Sequence, residues 1–226
     1  MKEKQNKYSG ILLAAGNSSR MNRWKIEIEI KNMPLLFHSL QKLKSVSDEV
    51  IVVGGFNFNR LKEMTDKNIF VDTENIKVVY NQQYQAGMFS SIKVGAANAQ
   101  YKNVIIALAD MPFIAVATYD LLKTKFETET QYDFVQPAIQ LETGRKKRGH
   151  PILINETVKF AVAKENDSAI LRDVLKNFSG DSFLCEDLGI NFDIDTETDL
   201  LNAEKLFFKN VIRNSNDKLA DERQSS

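Results

Sequence analysis

Residues 10–25, GILLAAGNSSRMNRWK, run an apolar stretch into a glycine, two serines, an arginine and a lysine. That set suits a phosphate. Gly16 lets a ligand approach the backbone closely. Asn17, Ser18 and Ser19 offer donors, and Arg20 and Lys25 can neutralise phosphate oxygens as a fork and a point charge respectively. The loop has neither the GxGxxG of dinucleotide folds nor the GxxxxGK[ST] of P-loops, so by itself it reads equally as a surface turn. Asp110 directly follows the apolar run VIIALA, where a charge costs desolvation unless a cation or a helix N-terminus compensates it. It is either a turn or cap aspartate beside Pro112, or a ligand for Mg²⁺, which takes one or two carboxylates plus substrate phosphates. Asp193 and Asp195 would share a face if their segment is extended. Alternatively, Asp195 or Thr196 caps a helix starting near Glu197.

Positioning these groups needs a sheet. Tyr8–Leu13, Glu49–Val53, Ile76–Tyr80 and Val104–Ala109 read as strands, with helical spacing over Pro34–Val46, Met88–Ala99 and Thr118–Thr128. Short apolar runs alternating with helices predict βαβ units and a mostly parallel α/β sheet. Such sheets bind ligands outside the carboxyl ends of their strands, so AAGNSSRM, NQQYQAGM and ADMP would share one edge. Beyond residue 130 the pattern loosens. Strands are expected over Phe134–Ile139 and Pro151–Ile154 around a basic loop, GRKKRGH, with a helix over Ser168–Phe178 capped by its serine and a strand near Phe183–Leu188. Residues 1–210 read as one domain, and 211–226 as a polar, disordered tail with few apolar anchors.

Thirty basic and thirty acidic residues balance, so no global field argues for nucleic acid or an anionic membrane, and a phosphate site must be local. No stretch approaches the roughly 20 apolar residues of a membrane span. One cysteine, Cys185, allows no internal disulfide and no zinc cluster, in keeping with a cytoplasmic location. His38 sits on an amphipathic helix as a structural residue, and His150 in GHP is a loop histidine. The RKKR of residues 145–148 is either a solvated turn or a cationic lid over a phosphorylated substrate.

Five motifs then occur in order: LAAG-x-S-x-RM with a lysine four residues on (Leu13 to Lys25), N-x₅-GM-x-SS (Asn81 to Ser91), LADMPF (Leu108 to Phe113), GHP (Gly149 to Pro151) and DIDT-x-x-DL (Asp193 to Leu200). Together they resemble the NTP-transferase family that includes the molybdenum cofactor cytidylyl- and guanylyltransferases, across about residues 8–205. The resemblance implies a three-layer, doubly wound α/β sheet of the Rossmann-like nucleotidyltransferase fold, and Mg²⁺-dependent transfer of a nucleotidyl group to a substrate phosphate, releasing pyrophosphate. It places the base and ribose against the Leu13, Ala14, Ala15, Gly16 backbone, with Ser18 and Ser19 beside them, and the triphosphate on Arg20 and Lys25. Asn81, Gly87, Met88, Ser90 and Ser91 lie along the nucleotide wall, Asp110 and Asp195 hold the metal, and Arg148 and His150 flank the acceptor.

Ala15, where the guanylyl branch tends to carry a second glycine, makes the chain similar to the cytidylyl branch, as do GM-x-SS and GHP. CTP and the molybdenum-loaded pterin are then the substrates, with a molybdenum enzyme as a further partner, and no nucleic acid or membrane. Asn22 and Asn32 replace usual glycines, in turns asparagine tolerates, and Glu27 and Glu29 make the run after Lys25 more acidic than the family's. Three alternatives stay open: a sugar- or alcohol-phosphate nucleotidyltransferase of the same fold, a glycosyltransferase using the D-x-D of Asp193 and Asp195, and a nucleotide- or cofactor-binding chaperone without turnover.

Overall fold

The computed structural model describes residues 6–18, 21 and 23–202. The expectations for Ser19, Arg20, Asn22 and the tail lie outside those residues.

Alternation along the strands builds the molecule. In β1 (Tyr8–Ala14), Leu12 and Ala14 face one apolar cluster while Ile11 and Leu13 face another. The same split divides Val50 and Val52 from Ile51 and Val53 in β4 (Glu49–Gly54), and Ile105 and Ala107 from Val104 and Ile106 in β6 (Asn103–Leu108). Strands buried on both faces read as continuous apolar runs, which is why they were visible without any polar alternation.

On one face pack α1 (Leu35–Val46), whose Leu36, Leu40 and Leu43 recur at helical spacing, α2 (Phe58–Asp66) and α4 (Val116–Thr128). On the other pack α3 (Met88–Asn98), α5 (Glu156–Lys164) and α6 (Leu171–Leu175). The result is the expected three-layer fold.

The main sheet runs β10 (Gly180–Leu184), β7 (Phe134–Gln140), β9 (Ile152–Ile154), β6, β1, β4 and β5 (Ile76–Tyr80). β1 is parallel to both β4 and β6, and β4 to β5, whereas β9 lies antiparallel between β6 and β7. The chain winds outward from β1 through β4 and β5, then returns to β1's other side as β6. That reversal opens a crevice at the strands' carboxyl ends. Register places Ala14 beside Gly54, and Leu13 beside Leu108, so the loops after β1, β4 and β6 emerge together.

Several expectations for the second half need correction. The basic loop contains a strand, β8 (Lys146–Arg148), paired antiparallel with β7. The helix expected over Ser168–Phe178 is only Leu171–Leu175. Asn166 is the reason: its side-chain oxygen accepts from the Ser168 amide at 3.3 Å and from the Ser168 hydroxyl at 3.2 Å, folding a turn where the helix would start. The strand expected near Phe183–Leu188 lies three residues earlier as β10. A small hairpin of β2 (Glu29–Ile30) and β3 (Met33–Pro34) had no counterpart in the periodicity, although Asn32 at its turn has the positive φ (60°) that asparagine tolerates.

Candidate active site

Lys25 sits at the centre of the crevice. Its Nζ donates to Asp110 Oδ2 at 2.6 Å and to Asp195 Oδ1 at 2.8 Å, with only 14% of the side chain exposed. Burial alone would lower the lysine's pKa, but the charges and hydrogen bonds of Asp110 and Asp195 outweigh it, and the net direction is up. The ammonium is therefore locked in its charged form.

Local structure accounts for each member. Asp110 follows β6 at the sheet's carboxyl edge and carries no cap interaction with the helix beyond Pro112. Ile194 is fully buried and its amide donates to the Asp110 carbonyl at 3.0 Å, pinning the Asp193–Asp195 segment against β6. With Ile194 turned into the core, Asp193 and Asp195 both line the cleft, as the extended reading required. Capping of the helix over 197–202 falls to Thr196, whose hydroxyl donates to Asp199 Oδ2 at 2.7 Å and accepts from the Asp199 amide at 3.2 Å. This reciprocal cap leaves Asp195 to Lys25.

Ser18 has φ of 54°, and its hydroxyl accepts from the Lys25 amide at 3.0 Å. Trp24 Nε1 donates to the Gly16 carbonyl at 3.3 Å, and its ring meets Phe56 edge-on at 6.4 Å. The loop after β1 is thereby folded back so that Lys25 returns to the strand ends.

The cleft around Lys25 is about 640 Å³. Of the expected nucleotide residues, Leu13, Ala14, Ala15, Gly16, Gly87, Met88 and Ser91 line it. Ser18, Asn81 and Ser90 do not. Asn81 and Ser90 are buried behind the wall: Asn81 Nδ2 donates to the Ser90 and Ser91 hydroxyls at 2.8 and 2.9 Å, and the one proton of Ser90 Oγ is shared between the Gln83 and Gly87 carbonyls, each 2.8 Å away. They shape the 83–87 loop instead of facing the cleft. That loop presents Tyr84 and Gln85, two lining residues that sequence reasoning passed over. Tyr84 packs so tightly on Gly55 that a Cβ there would lie 2.4 Å from its own Cβ, which gives Gly55 a role in packing.

Glu27 does not enter the cleft; it pairs with Arg60 of α2, and Glu29 is exposed on β2.

A second cleft, about 770 Å³, adjoins the first across Gly87 and Met88. It runs over β7 and β9 between α3 and α6, and contains both expected acceptor residues, Arg148 and His150. Burial in this cleft pushes the His150 pKa down to about 4, against a smaller opposing pull from Asp193, so the ring is neutral at pH 7. Gln136 and Arg172 also line it, and neither stood out by motif.

A family model described as MobA-like NTP transferase domain matches residues 10–182. Over 197 residues the chain is 25% identical to the molybdenum cofactor cytidylyltransferase of Escherichia coli K12, spanning 87% of this chain and 95% of that one. It is 28% identical over 198 residues to nicotine blue oxidoreductase of Paenarthrobacter nicotinovorans, spanning 83% and 92%. The fold matches Rv0371c of Mycobacterium tuberculosis H37Rv, solved in complex with manganese, with a TM-score of 0.66 at 17% identity over 88% of this chain and 99% of that one.

Proposed function

The chain belongs to the MobA-like NTP transferase family, and we propose that it moves CMP from CTP onto the terminal phosphate of a small acceptor, the molybdenum-loaded pterin, releasing pyrophosphate. One observation carries this reading: a single ammonium held between two carboxylates, Asp110 and Asp195, at the carboxyl ends of a doubly wound sheet.

That arrangement fits a divalent metal. Two carboxylates already converge on one point cation, and among the described residues no third acidic, histidine or cysteine ligand joins them. Mg²⁺ suits such a pair because it keeps waters and takes its remaining ligands from phosphates. Asp110 and Asp195 would hold the metal, which when bound would polarise the phosphoryl oxygens of the nucleotide. The manganese in the Mycobacterium tuberculosis structure is in keeping with that need.

The chain's own residues do the rest. Lys25, displaced from the carboxylates, would turn to the triphosphate and stabilise charge building on the α-phosphate and the leaving pyrophosphate. Arg20 is proposed as its partner on the triphosphate. The backbone from Leu13 to Gly16 would hold base and ribose, with Ser91 and Met88 along the wall and Asn81 and Ser90 bracing it from behind. The acceptor would lie in the second cleft beside Arg148 and His150, its phosphate meeting the nucleotide where the clefts join at Gly87. An ionised phosphate is already a nucleophile, so no general base is required. That agrees with the neutral His150.

Support for cytosine comes from Ala15 in the first loop and from the Escherichia coli relative named as a cytidylyltransferase. The test is pyrophosphate release with CTP, GTP, ATP and UTP, each with and without molybdopterin and Mg²⁺. Release that needs CTP, acceptor and metal together is the expected result. Release with a sugar phosphate or alcohol phosphate instead would transfer the same site to that acceptor class.

A further inference from the structure

Gln136 lies in the middle of β7, a strand otherwise apolar through FV-PAI, and is 6% exposed. Alternation puts it on the same face as Phe134, against the second cleft, which it lines. Its side-chain amide makes no hydrogen bond to any described residue, yet neither amide atom is sealed from the cleft's space. An amide with no protein partner among the described residues, open to the cleft from an otherwise apolar strand, keeps its donor and acceptor for whatever enters the cleft. Around it the lining is apolar: Phe89, Phe134, Ile152 and Phe178. Exposed Arg148 and Arg172 stand among the lining residues, and no carboxylate is among those described.

We propose that Gln136 is a specificity-determining residue: its amide reads a planar heteroaromatic ring that presents a hydrogen-bond donor and an acceptor side by side. A primary amide offers the complementary pair, N–H₂ beside C=O, the geometry by which glutamine reads such an edge elsewhere. The apolar walls take the faces of the ring, and Arg148 and Arg172 meet an anionic substituent on it. The inference rests on the second cleft being the acceptor's, as proposed above, and adds what selects the acceptor. A site built around a polar group rejects the analogue that leaves that group unpaired far more strongly than an apolar pocket rejects a change of shape.

The test uses the full chain, titrated calorimetrically with pterin (2-amino-4-oxopteridine) and with quinoxaline, a fused bicycle of similar outline that has no donor. Wild type, Gln136→Leu and the near-isosteric Gln136→Met are compared, each also titrated with CTP and Mg²⁺. Pterin should bind wild type and lose about tenfold or more in both variants. Quinoxaline should hold or gain, and thermal midpoints should match or exceed wild type, so that the loss is not unfolding. Equal pterin affinity in wild type and variants, or no pterin binding by wild type while CTP still binds, overturns the assignment. Pterin discrimination that persists in a protein to which no CTP binds keeps Gln136's role and overturns the transfer reading instead.

Discussion

The two clefts share Gly87 and Met88 but treat their polar groups in opposite ways. In the first, charges are matched inside the protein: Lys25 is bracketed by Asp110 and Asp195, and Asn81 is tied to Ser90 and Ser91. In the second, the Gln136 amide has no partner among the described residues, Arg148 and Arg172 are exposed, and the remaining walls are largely apolar. A site for a highly charged ligand is costly to leave bare, because like charges gathered for it repel in its absence. The lysine between two carboxylates removes that cost and can be displaced when metal and phosphates arrive together. A site for a flat, mostly apolar ligand carries a smaller penalty, and one unpaired amide is tolerable.

This contrast can be broken at several points. The largest effect is expected from Asp110→Ala, which should abolish pyrophosphate release while the fold persists; wild-type rates in that variant would remove the metal assignment. Lys25→Ala should cost about 2.7–4 kcal/mol of transition-state stabilisation, the size seen for a single oxyanion donor. Because it also removes the ammonium that lies between Asp110 and Asp195, Mn²⁺ titrated into the nucleotide-free protein should bind that variant at least as tightly as wild type. Weaker binding would mean that Lys25 does not compete with the metal.

At the junction, Gly87 has φ of 115° and ψ of 177°, a region open essentially to glycine alone. Gly87→Ala should destabilise the fold by about 1–3 kcal/mol in urea melts and disturb both clefts together. Thr196→Ala removes one half of the reciprocal cap and should cost about 1 kcal/mol of stability. A drop in metal affinity alongside would show that the cap is what leaves Asp195 to Lys25.

The smallest test concerns pH. The His150 pKa is pushed down to about 4 from the ordinary 6.5, so between those values the unfolded chain binds a proton that the folded chain does not. Stability should therefore fall as pH drops through that window, by at most about 1.4 kcal/mol per pH unit. His150→Gln should flatten that part of the curve. His38, also lowered by burial, titrates in both proteins and cancels in the comparison.

The first cleft was far more legible in the sequence than the second, and the reason is physical. Its parts sit at the ends of β1 and β6, where buried apolar runs stop at Gly16 and Asp110, and at the end of the edge strand β5, which gives way to Asn81. Even the shared face of Asp193 and Asp195 could be anticipated, since it needs only Ile194 to turn inward. What could not be read was which hydroxyls and amides would be consumed behind the wall, because Asn81 and Ser90 meet only once the 83–87 loop folds back.

The second cleft depends on short elements. The side chain of Asn166 takes over the start of an expected helix and shortens α6, and β8 appears in a run of cations that periodicity reads as a loop. One signal was present: a glutamine inside an apolar strand, at a position that alternation assigns to the core. Buried polar residues of that kind are worth marking wherever they occur.

The most direct test of the central claim, that the Lys25-centred cleft binds a nucleoside triphosphate through a metal on Asp110 and Asp195, is a thermal-shift panel. CTP, GTP, ATP and UTP are compared with and without Mg²⁺, on wild type and Asp110→Ala. At about 100 times Kd a bound ligand adds roughly 2.7 kcal/mol, a shift of several degrees for a chain of this length. The account predicts a Mg²⁺-dependent shift, largest with CTP, that disappears in the variant. No shift with any nucleotide, or an equal shift in Asp110→Ala, would contradict it.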